Sequence, residues 1–79
     1  MQDRYIGRFD VMRMLGISRP GMLHSMEQNR LPKPVKLTRR IFKWDRAKIV
    51  MIMRGHTLEE VEAASETELV EILYGKGST

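Results

Sequence analysis

The sequence predicts a mainly α domain with a small β-hairpin, followed by an acidic C-terminal helical segment. Three observations carry that prediction. Two short apolar stretches are joined through Leu15-Gly16-Ile17-Ser18, a glycine stop followed by a ready helix cap. Leu31-Pro32-Lys33-Pro34 then excludes helix and leads into two short alternating runs. Charge divides along the chain: residues 1–56 hold 13 Lys/Arg against four Asp/Glu, and residues 57–79 hold one Lys against six Glu.

The first helix is read from Arg8 to Leu15. Phe9, Met12 and Leu15 fall at i, i+3 and i+6, close to one amphipathic stripe, and Gly16 supplies the left-handed stop. Ser18 caps a second helix that tolerates Pro20 in its first turn and runs to about Gln28. Arg19, Met22, Leu23 and Met26 share one face, with the three apolar residues expected to point inward. Gly21, His24, Ser25 and Gln28 form the opposite face. Glycine costs roughly 1 kcal/mol relative to alanine inside a helix. Gly21 therefore marks either a place of close backbone approach or a weak point in a marginal helix.

Val35-Lys36-Leu37 and Ile41-Phe42-Lys43-Trp44 read as a two-stranded hairpin whose tip is Thr38-Arg39-Arg40. The tip lacks Asn-Gly chemistry, so its turn type stays open. Asp45 caps a third helix from Arg46 to about Arg54, and Gly55 ends it. Ile49 to Met53 is apolar around most of the helical circumference and would also suit a buried strand. The cap and the helix formers Arg46-Ala47-Lys48 favour helix. Thr57-x-x-Glu60 and Ser65-x-x-Glu68 are capping boxes. The tail is thus one helix from 58 to about 73 or two short ones breaking near Ser65. Leu58, Val61, Leu69, Ile72 and Leu73 give it an apolar side, and Gly75 to Thr79 are expected to be disordered. Trp44 is expected beneath the hairpin, with Phe9, Phe42 and the methionines as core.

A chain of 79 residues makes one domain at most, read over residues 1–56 with a modest core, plus the acidic segment 57–79. The absence of Cys excludes disulfides and thiolate metal sites. The sequence has no H-E-x-x-H and no Gly-rich phosphate loop, and neither His24 nor His56 sits in a metal-ligand pattern. No catalysis, cofactor, metal or small-molecule substrate is expected. Met1-Gln2-Asp3-Arg4 is not followed by an apolar stretch, and the longest apolar run, Ile49 to Met53, is too short to span a bilayer. Neither a secretory leader nor a membrane partner is expected, and the place of action is the cytoplasm.

The order of helix, glycine turn, helix, basic hairpin and helix is that of a winged helix-turn-helix. A helix enters the major groove and offers side chains to base edges, while a hairpin beside it places cations against phosphates. The basic body predicts a polyanionic partner, double-stranded DNA. The candidate contacts are Ser18, Arg19, Gly21, His24, Ser25 and Gln28 from the second helix, Arg30 and Lys33 after it, and Lys36, Thr38, Arg39, Arg40 and Lys43 from the hairpin. The acidic end reads as a solvated helix or as a surface that meets a basic patch on another copy.

Phe9-Asp10-Val11-Met12-Arg13-Met14-Leu15-Gly16-Ile17-Ser18 resembles the opening of MerR-type winged helix domains. Leu31-Pro32-Lys33-Pro34-Val35-Lys36-Leu37, with Arg40 and Trp44 after it, is similar to the following stretch of AlpA-like regulators and phage excisionases of the control-of-excision type. The resemblance covers about residues 5–54. Arg19-Pro20-Gly21 departs from it, since the family usually opens this helix with polar helix formers and Thr or Ser. No effector domain or long coiled coil follows, so ligand sensing is not expected.

The resemblance implies a non-catalytic protein whose copies bind repeated sites near a phage attachment site. They bend the DNA and let the integrase assemble for excision, and many such proteins also repress early promoters. It implies a homo-oligomer, either a dimer or a DNA-bound array, and a phage integrase as partner. An AlpA-like role in transcription alone keeps the same fold. A protein-interaction adaptor is a third reading, motivated by the acidic tail and by the all-round apolar third helix.

Overall fold

The computed structural model describes residues 4–75. The expectation of disorder for residues 76–79 lies outside that range, as do Met1 to Asp3 of the leader reading. Each helix end has a local chemical cause. The first helix, α1 (Arg8–Leu15), closes on Gly16 at φ 67°, where Gly16 N–H donates to Arg13 O and Ile17 N–H to Met12 O. These are the paired bonds of a Schellman motif, which requires a left-handed residue. The second helix, α2 (Arg19–Glu27), starts where Ser18 Oγ accepts from Gly21 N–H at 3.3 Å. It closes the same way on Asn29, at φ 56°. The third, α3 (Arg46–Met53), is capped by Asp45, whose carboxylate accepts from Ala47 N–H at 3.0 Å, and ends at Gly55.

The tail forms two helices, α4 (Leu58–Ala63) and α5 (Glu66–Tyr74), each opened by a complete capping box. The chain breaks between them at Ala64, which is extended.

The strands form a three-stranded antiparallel sheet, where the sequence showed only a hairpin. They are β1 (Tyr5–Ile6), β2 (Val35–Lys36) and β3 (Phe42–Asp45), in the order β1-β3-β2. The hairpin pairs Val35 with Lys43 and Lys36 with Phe42. The additional strand pairs Tyr5 with Asp45 and Ile6 with Trp44. Two residues are too short to show alternation, so only this pairing reveals β1. The architecture is a winged helix-turn-helix with a helical extension.

Helix α3 separates two apolar clusters. Ile49 packs with Ile6, Val11, Met22, Leu31 and Trp44. Ala47 and Met51 pack with Val61 and Leu69 of the tail. Ile49 stands two residues from each of those positions, roughly 200° around the helix, so the clusters lie on opposite sides. That accounts for the apolar circumference of α3 within this one chain.

Four expectations about the core are corrected. Phe9 is 68% exposed, because Val11, two residues on and nearly opposite it around α1, is the fully buried position. Leu23 is 50% exposed, because Met22 and Met26 supply the inner row of α2 and Leu23 stands one 100° step outside it. Phe42 shares a strand face with buried Trp44 but lies two residues nearer the hairpin tip and is 43% exposed. Met53, at the end of α3, is also exposed, beyond both clusters.

Candidate nucleic-acid interface

The hairpin tip is shaped by Thr38. Its Oγ1 accepts from Arg40 N–H at 3.3 Å and from Ile41 N–H at 3.1 Å, while Leu37 N–H donates to Ile41 O at 2.9 Å. The Thr38 hydroxyl thus holds a three-residue loop that lacks turn glycine. Arg39 and Arg40 stand exposed on that loop. Lys36 is exposed on β2, and Lys43 is half-buried on β3. A Cβ built at Gly7 would lie 3.6 Å from Lys43 Nζ, so this ammonium reaches the start of α1.

On α2, Ser18, Arg19, His24 and Gln28 are exposed, and Gly21 and Ser25 are half-buried. Ser18 Oγ serves as the helix cap. Gln28 sits at the C-terminal cap, and Arg30 and Lys33 follow on exposed chain. A Cβ at Gly21 would meet Ser18 Oγ at 3.4 Å and Ile17 Cβ at 3.6 Å, ordinary van der Waals contacts. The protein's own packing therefore does not require glycine there.

Two concavities border α1, α2 and the hairpin. One, of about 170 Å³, is lined by Arg8, Arg19, Met22, Leu23, Met26, Pro34, Phe42 and Trp44. The other, of about 240 Å³, is lined by Arg8, Phe9, Arg40, Ile41, Phe42, Lys43 and Trp44. They share Arg8, Phe42 and Trp44, and no carboxylate lines either. The structure so places Arg19 of α2 in the lining of the first and Arg40 and Lys43 of the hairpin in that of the second, two neighbouring concavities that share Arg8, Phe42 and Trp44. Ser18, Gly21, His24, Ser25, Gln28, Arg30, Lys33, Lys36, Thr38 and Arg39 lie outside both linings.

Arg8, Phe9, Leu23, Ile41 and Phe42 belong to this surface and were not among the sequence-derived contacts. Arg8 carried no sequence signal beyond its charge at a helix start. The other four were apolar and read as core or strand residues. The Arg8 guanidinium stands 5.5 Å from the Phe9 ring centroid, a cation–π distance.

The acidic segment is held on the far side of α3. Arg4 donates from Nε and Nη2 to the two Asp45 carboxylate oxygens at 2.9 Å each, and from Nη1 and Nη2 to Glu66 at 2.8 and 3.1 Å. The hydrogen bonds from Arg4 hold the Glu66 carboxyl below its usual range. The bond from Thr57 backbone N–H does the same for Glu60. No group of three or more His, Cys, Asp or Glu able to hold a metal ion occurs among the described residues. No helix among them is long and apolar enough to cross a membrane.

Comparison with known proteins gives one family: the model for the prophage CP4-57 regulatory protein (AlpA) matches residues 4–53. That span runs from the arginine before β1 to the last residue of α3. Comparison with curated proteins and with solved structures found no match.

Proposed function

The chain belongs to the family of the prophage regulatory protein AlpA, a phage-type family of DNA-binding regulators, and from that premise we propose that it is an excisionase. In this reading it is a non-catalytic recombination directionality factor. It binds repeated sites at a phage attachment site in the host cytoplasm, as a dimer or a DNA-bound array. It bends the duplex so that an integrase assembles for excision, and it represses early promoters.

The observation that supports this reading is the pair of neighbouring concavities that α1, α2 and the hairpin border, lined by Arg8, Arg19, Arg40 and Lys43 and by no carboxylate. Cations from both DNA-reading elements converge there, as a phosphate backbone running between groove contacts requires. A bend costs a few kcal/mol, which an array of contacts recovers.

The family's description as regulatory favours a second reading, transcriptional control alone. Footprinting across the attachment and promoter regions tests both. Protected repeats at the attachment site, with altered electrophoretic mobility that depends on site position, support excision. Protection confined to a promoter replaces that reading with the second.

A further inference from the structure

We propose that the two concavities flanking Phe42 are one seat for the sugar–phosphate backbone of a single DNA strand. Phe42 and Leu23 lie against deoxyribose in it, and Arg8 contacts a phosphate. This rests on the DNA-binding reading above and adds a site on α1 to it.

The composition of the seat matches that ligand. Its lining combines apolar side chains, among them Met22, Leu23, Phe42 and Trp44, with the guanidinium and ammonium groups of Arg8, Arg19, Arg40 and Lys43. A nucleic acid backbone alternates in the same way, with apolar sugar faces between anionic phosphates. The position also fits. A duplex gripped by α2 in one groove and by the hairpin in the next must carry a strand across the gap between them, and the seat fills that gap.

Two further features support it. Phe9, Leu23 and Phe42 are large apolar side chains held in water, at 68%, 50% and 43% exposure; Phe9 lines one concavity, Leu23 the other, and Phe42 both. Packing against sugars would remove that apolar surface from water. Helix α1 is also the one helix among the described residues that begins without a side-chain cap, at Gly7. Its first-turn N–H groups add to the positive end of the helix beside Lys43. Asp10, in the same turn, is drawn toward Arg13 at 3.7 Å.

Trp44 makes the seat directly observable. It is the one tryptophan of the chain, it lines both concavities, and its buried indole N–H has no hydrogen-bond partner among the described residues. The experiment uses the full chain with the footprinted duplex and with a duplex of unrelated sequence. It compares wild type, Arg8→Gln, Phe42→Leu and, as a tip control, Arg39→Ala.

Arg8→Gln is expected to weaken both duplexes about tenfold and to lower the salt slope by about 1. A methylphosphonate at one backbone position should weaken wild type and leave Arg8→Gln unaffected. Phe42→Leu should weaken binding with the slope unchanged, its melting curve showing that it folds. Trp44 emission should change on saturation of wild type and of Arg39→Ala alike. If Arg8→Gln keeps wild-type affinity and slope, and Trp44 emission is unmoved at saturation while Arg39→Ala still lowers the slope, the seat is overturned and DNA binding stands. If wild type binds no duplex at low salt, the functional reading itself fails, and the seat with it.

Discussion

Arg4 and Glu66 are joined by two hydrogen bonds, 2.8 and 3.1 Å long, across 62 positions of sequence. The same guanidinium holds Asp45, the cap of α3, so one side chain ties the start of β1 to the first turns of two helices. Its apolar counterpart is the contact of Val61 and Leu69 with Ala47 and Met51. The acidic tail is thereby docked on the face of α3 turned away from the cluster that joins α1, α2 and the sheet.

The Arg4–Glu66 link makes stability depend on acid pH. Glu66 is held below its usual range by the hydrogen bonds from Arg4, so the folded state favours the carboxylate. Its contribution is complete above the ordinary glutamate value of about 4.3 and is lost as pH falls through the lower folded value. Urea midpoints at neutral and acid pH should therefore differ more for wild type than for Glu66→Gln. High salt should shrink the difference, because Glu66 is exposed. Equal pH dependence in the two proteins would contradict the link.

Asp45→Ala removes a cap and also the inner partner of Arg4. Cap loss alone costs about 1 kcal/mol. Asp45 is 8% exposed, so loss of its two charge-assisted hydrogen bonds from Arg4, which keeps Glu66, adds to that cost. Ser18→Ala removes an exposed cap with no ion pair. Denaturant unfolding should show Asp45→Ala as the more destabilised of the two.

Leu69→Ala opens a cavity under α5, for a loss of about 2–4 kcal/mol. Because this cluster lies across α3 from the one that carries the candidate interface, the folded variant should bind DNA with the wild-type salt slope. A changed slope would place the tail in the DNA contact.

Gly21→Ala distinguishes the two reasons for a glycine in α2. A Cβ fits the protein's own packing, so thermal stability should rise, by up to about 1 kcal/mol. If the backbone there approaches DNA closely, affinity should fall while stability rises. Unchanged affinity would make Gly21 merely a weak point in the helix.

Arg39→Ala should lower the salt slope by about 1 and weaken all sequences nearly equally, as loss of a phosphate contact does. His24→Ala should instead relax sequence preference, since His24 stands exposed on α2. Competition binding with unrelated duplex separates the two. A uniform loss from His24→Ala would reassign that position to the backbone.

Much of the fold was legible because it is set within a few residues. Gly16, Ser18, Asp45, Thr57 and Ser65 each stop or start a helix through bonds to neighbours at most five positions away. The prolines at 32 and 34 and the alternation after them located the hairpin. The candidate site was legible where charge marked it, as at Arg19, Arg40 and Lys43. It was illegible at Leu23 and Phe42, where an apolar side chain on the expected face of a helix or strand looked like core.

The amino-acid sequence by itself determined the helix ends, the hairpin and the division into a basic body and an acidic tail. Capping, turn formation and net charge depend on groups close along the chain. Only the tertiary structure decided that residues 5 and 6 form a strand, that Arg4 bridges two helices, and that Phe9, Leu23 and Phe42 remain in water. Burial is conferred by elements distant in sequence, and on a helix a single 100° step decides whether an apolar side chain meets them.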